Sequence, residues 1–207
     1  MAHITDDRFA PDFSIVFGGD SPSVAIDRFN PDRTPQNLSA STGSIIFYTL
    51  FRLKENAASG QKVITVIDVD DTDQVDHLIK ANDTLTIGTR DSVTHTVDTV
   101  SNLAITMDVN LTNSYVIGET VKVIWKTGTL ATANFVLGFD SPGSTTIGTV
   151  KNRVTFNLAD TETDRIFENH RILIKVKDSS GNELAIPDPP QELILNVFDD
   201  INRVSLT

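Results

Sequence analysis

The sequence predicts an all-β fold. Three observations carry that prediction. Short runs rich in β-branched and aromatic residues recur at roughly ten-residue spacing. Gly, Pro, Asn and Asp punctuate them. No stretch shows a long amphipathic helix or the heptads of a coiled-coil stalk.

The elements follow in chain order. Residues 1–40 are broken by Pro11, Gly18-Gly19, Pro22, Pro31 and Pro35, so only short extended pieces fit, at Phe13–Phe17 and Ser23–Ile26. This reads as an extended N-terminal arm or edge lying along something else, or as a partly disordered terminus. Ser44–Leu53 is a strong strand, apolar enough to be buried on both faces. Five short strands then follow at Val63–Ile67, Thr84–Ile87, Thr94–Val100, Leu103–Met107 and Thr120–Trp125, with one helical turn at Asp76–Lys80. The last third offers strands at Asn134–Phe139, Arg153–Leu158, Ile172–Lys177 and Glu192–Phe198. The acid-rich start of Asp160–Glu168 suits a second helical turn.

The 207 residues suffice for one large domain or two small ones. A formal charge of −11 repels phosphate, which argues against nucleic acid and against an anionic membrane surface as partners. With no cysteine, disulfides and thiolate metal sites are excluded. No segment approaches the about 18 apolar residues of a membrane span, and the start Met1–Arg8 lacks the basic and apolar regions of a signal peptide. The expectation is a chain made in the cytoplasm and not exported by the usual route.

Candidate chemistry is sparse. His3, His77, His95 and His170 share no metal-binding spacing. Asp68–Asp76 places aspartates at alternating positions suited to a hard cation. Counted from Asp68 as an EF-hand, however, it carries Asp73 where Gly belongs and Ile79 where Glu belongs, so an exposed acidic loop is the simpler reading. Gly18–Pro22 lacks the spacing and the Lys of a phosphate loop, and there is no G-x-S-x-G elbow. Glu162, Asp164 and Glu168 suggest a carboxylate cluster, explained more simply as acids opening a helical turn. Trp125, Phe135, Phe139, Phe156 and Phe198 read as core residues at strand spacing rather than as a sugar-binding platform. The expectation is therefore no enzyme: no catalytic residue, cofactor or metal.

Two segments resemble known modules. Leu78–Gly88, His95-Thr96-Val97, Leu103–Met107 and Tyr115–Val121 together resemble a small β module of bacteriophage virion proteins, with Asn82 standing where that module often has Gly. Phe167–Leu184 is similar to the late hairpin of bacterial and phage immunoglobulin-like modules, with Ser44–Leu53 as the matching early strand.

The resemblances imply an immunoglobulin-like β-sandwich at 41–61 and 127–200, interrupted by a small β-barrel or sandwich at 62–126, with an arm at 1–40 and a tail at 201–207. They imply a structural component of a bacteriophage particle, in the tail, baseplate, neck or capsid surface. It would sit in the virion and contact other virion proteins, as a homo-oligomer or bound to a lattice. Two alternatives are a host-receptor or glycan-binding module at a particle tip and a bacterial surface immunoglobulin-like adhesion module.

Overall fold

The computed structural model describes residues 2–4, 12–16, 23–68, 75–88, 93–159, 165, 167–178, 181–186 and 193–198. With 51% strand against 4% helix, the fold is all-β, as the sequence predicts. The chain divides into two compact units, Met1–Ile46 with Thr127–Thr207, and Phe47–Lys126.

The first unit holds two sheets. One has the order β1 (Ala2–Ile4), β3 (Ser23–Asp27), β11 (Arg153–Asn157), β10 (Phe135–Val136). The other runs β2 (Asp12–Val16), β14 (Leu193–Phe198), β12 (Phe167–Lys177) and then the N-terminal part of β4 (Thr42–Leu53), with β13 (Glu183–Ile186) also paired to β12. β3 has neighbours on both sides, and Val24, Ala25, Ile26 and Asp27 are all fully buried. On β12, buried Ile172, Ile174 and Val176 alternate with more exposed residues, the period-two pattern of a strand with one covered face.

The stretch expected to run as an arm, 1–40, instead supplies three strands to the unit's own sheets. β1 pairs in parallel with β3, and β2 in parallel with β14. Residues 28–38 continue the β3–β11 ladder through Arg28 N–H to Asn152 O (2.8 Å) and Leu38 N–H to Lys151 O (2.8 Å), and they bury Phe29 and Leu38. Pro31 lies in the turn after β3 and Pro35 bridges to Phe29, so these two breakers punctuate a paired segment rather than mark a free one. The expected tail, 201–207, lies outside the described residues.

The second unit is a barrel. The C-terminal part of β4 is followed around the wall by β5 (Val63–Asp68), β8 (Ala104–Met107), β7 (His95–Ser101), β6 (Thr84–Ile87) and β9 (Thr120–Leu130). The β4–β9 pairing closes it with six strands. Inward positions alternate along each wall strand: Phe51 and Leu53, Ile64 and Val66, Leu85 and Ile87, Val121 and Val123. A single helical turn, α1 (Val75–Leu78), contacts β5 and buries Val75 and Leu78, close to the expected 76–80.

The barrel starts at Phe47, whereas the sequence reading opened the insertion at 62. The reason is that β4 is one uninterrupted 12-residue strand shared by the two units, with no turn signal where one ends and the other begins. The second expected helical turn, 160–168, falls mostly outside the described residues, and from Phe167 the chain is already strand β12. The expected strand 134–139 shortens to Phe135–Val136, preceded by the 3-10 turn Thr132–Asn134.

Candidate functional site

The most strongly built polar cluster lies in the first unit, where β3 meets β11. Asp27 and Arg153 are direct cross-strand partners. Arg153 donates through Nε to Asp27 Oδ1 at 2.7 Å and through Nη2 to Oδ2 at 3.0 Å, and the Asp27 side chain is fully buried. The Arg153 guanidinium also covers the Phe139 ring, 4.6 Å from its centroid. Beside the pair, buried Asn152 donates through Nδ2 to the carbonyls of Arg28 and Phe139, both at 3.2 Å. Arg28, itself buried, donates to Gln36 Oε1 at 2.9 Å. Gly138 packs directly against Asn152 Oδ1 and Asp27 Oδ1, where a Cβ would collide with both. The Asp27 and Arg153 charges match each other, and with the Asn152 bonds they tie the 137–153 segment to β3; this is a structural lock.

The histidines are dispersed. His3 is on β1 and His77 on α1. His95 is fully buried in the barrel wall and His170 fully buried on β12. His170 Nε2 lies 2.7 Å from the carbonyl oxygen of buried Arg165. Burial, and secondarily the Arg165 charge, pushes the His170 imidazole down from 6.5 to about 4, so it is neutral at pH 7. Among the described residues, no group of three or more His, Asp or Glu is placed to hold a metal. Of the acidic stretch Asp68–Asp76, residues 69–74 lie outside the described residues, as do Glu162, Asp164 and Gly18–Pro22.

Of the aromatic residues expected in the core, Phe135 and Phe156 are buried, whereas Trp125 and Phe139 are half-buried; Trp125 stacks tilted on Phe47 with ring centroids 5.1 Å apart. The exposed large apolar side chains among the described residues are all aliphatic: Val63, Val109, Val116, Ile117, Leu137 and Ile147.

Four of these six lie on the barrel, two of them at the tip of a zipped pair of loops. Ala57 and Tyr115 form a bridge, Gly60 N–H reaches Leu111 O at 2.8 Å, and Ser59 Oγ reaches Thr112 O at 2.9 Å. Asn56 Oδ1 accepts from Ile117 N–H at 2.8 Å, and Glu119 Oε1 from Val116 N–H at 3.1 Å, so a tight polar turn holds Val116 and Ile117 outward at 59% and 63% exposure. A shallow hollow of about 270 Å³ lies alongside, lined by Asn56, Ala57, Ala58, Ser114, Tyr115 and Val116. The sequence reading takes Tyr115–Val121 only as part of a module pattern and does not expect Val116 and Ile117 to face outward. The available signal was two aliphatic residues directly before Gly118-Glu119, where a turn leaves side chains without cover.

Comparison of the chain with protein-family models, curated protein sequences and solved structures returns no significant match.

Proposed function

We propose that this chain is a structural component of a bacteriophage particle, acting through protein–protein contacts, and that its first unit is an immunoglobulin-like sandwich carrying the barrel as an insertion. The observation that carries the fold part is strand order. Constant-type immunoglobulin domains place strands A, B, E and D on one sheet and C, F and G on the other. Here β1, β3, β11 and β10 occupy the A, B, E, D order, while β4, β12 and β14 occupy C, F, G. The same strands occur in that alphabetical order along the chain, so the barrel sits in the C-to-D connection. One departure is that β1 runs parallel to β3, because β2 intervenes and crosses to the other sheet beside β14.

The functional part rests on the resemblance of Leu78–Val121 and Phe167–Leu184 to virion modules. The aliphatic, non-aromatic tip at Val116–Ile117 favours a protein neighbour over a glycan. The test is to raise antibodies against the purified chain and probe density-purified particles produced by the genome that encodes it. Co-migration at a fixed copy number is the expected result. Particles assembled normally without the chain overturn the reading.

A further inference from the structure

The barrel carries opposite charge on opposite seams. Its wall runs β4-β5-β8-β7-β6-β9 and closes on β4, so the β4/β9 seam lies across the ring from the β7/β8 seam. On the β4/β9 side, exposed Arg52 stands between buried Phe51 and Leu53, and half-buried Lys122 between buried Val121 and Val123. The Lys122 ammonium sits 3.9 Å above the Tyr48 ring, and Lys126 follows at the end of the seam. The flanking strands β5 and β6 add Thr65, Ile67, Thr84 and Thr86. Among the described outward side chains of these four strands there is no carboxylate; at the rim, Glu55, just past β4, accepts from Thr65, and Glu119, directly before β9, accepts from the Val116 N–H. In a chain with 28 acidic residues against 17 Lys and Arg, that is a marked local reversal.

The β7/β8 seam is the converse. Neither strand contains Lys or Arg. The ladder slips between Val97 and Thr99, so Asp98 is an extra bulge residue, and it is exposed. Asp108, exposed directly after β8, accepts from the backbone N–H groups of Thr96 and Val109, both at 2.9 Å. Those bonds hold its carboxyl below the usual range and so keep it ionised.

We propose that the barrel is a self-association module, in which the β4/β9 seam of one copy docks on the β7/β8 seam of a second copy. Such a contact is heterologous: it closes into a ring or runs on as a filament, depending on the rotation per step. The net charge of −11 makes two copies repel at a distance. Association is therefore favoured where salt screens beyond about 10 Å, near 0.1 M, and is lost at high salt. Only barrel residues form this contact, which is independent of any place in a particle.

The test is sedimentation velocity on the full chain at about 0.1 M salt, for wild type, Arg52→Glu, Asp98→Lys and an equimolar mixture of the two variants. Both positions are exposed, so unchanged thermal melts will show that the fold persists. The expected result is wild type sedimenting above monomer, each variant as monomer, and the mixture recovering a complex through its intact pair of seams. A monomeric wild type, association indifferent to both reversals, or a mixture that stays monomeric overturns the proposal. Absence from particles with association intact removes only the particle reading; presence in particles with a monomeric wild type removes only this one.

Discussion

Arg153 faces Asp27 directly across the β11–β3 ladder and grips both carboxylate oxygens, at 2.7 and 3.0 Å, with the carboxylate wholly out of water. A buried pair of this kind adds little over well-packed apolar residues, but removing one partner strands the other charge at a cost of about 3–5 kcal/mol. Asp27→Asn and Arg153→Met should each lower stability by roughly that amount. The double variant should lose clearly less than the sum. Urea denaturation of the three variants measures the coupling; additive losses would mean that the two residues act independently.

Gly138 presses on the same cluster from the side. A methyl group there meets Asn152 Oδ1 and Asp27 Oδ1, neither of which can yield without giving up a buried hydrogen bond or opening the ladder. Gly138→Ala should therefore destabilise by about 1–3 kcal/mol. Gly143→Ala is the comparison that isolates packing from backbone freedom: its Cβ meets no atom, but its φ is +79°. Its loss should come from strain alone, about 1–2 kcal/mol.

Asn82 stands where the module that the sequence resembles often has Gly, and its backbone conformation suits either residue. Its φ is +73°, in the left-handed region that Gly enters freely and Asn better than most residues. Asn82→Gly should be neutral or slightly stabilising, and Asn82→Ala should cost about 1–2 kcal/mol. Thermal melts of the two variants decide it; equal stabilities would show that side-chain bonding rather than φ governs the position.

Much of the strand map was readable because period-two burial leaves a direct trace: Ile64 and Val66, Leu85 and Ile87, and Val121 and Val123 each alternate with polar or half-exposed neighbours. What stayed hidden depends on pairing between distant segments. Nothing local to Ala2–Ile4 announces a partner at Val24–Ile26, and nothing in Ser44–Leu53 announces that its two ends serve different units. The Asp27–Arg153 lock was unreadable for the same reason, since its partners lie 126 residues apart. The cationic seam needs the ring order before Arg52 on β4 and Lys122 on β9 fall on adjacent strands.

His170 links the fold to pH. Its imidazole is fully buried, with Nε2 2.7 Å from the Arg165 carbonyl oxygen. Folding lowers its proton affinity from 6.5 to about 4. Between those values the unfolded chain binds the proton and the folded chain does not, so stability falls as pH drops through this window. The contribution is whole above the unfolded value, is lost progressively below it, and is gone below about pH 4. The full span is on the order of 3 kcal/mol. His170→Gln, which keeps an N–H for the Arg165 carbonyl, should flatten that part of the curve while lowering stability at pH 7 only modestly. Urea midpoints measured from pH 4 to pH 8 for both proteins check this. A wild-type curve no steeper than that of the variant over the window would show that other groups set the acid sensitivity.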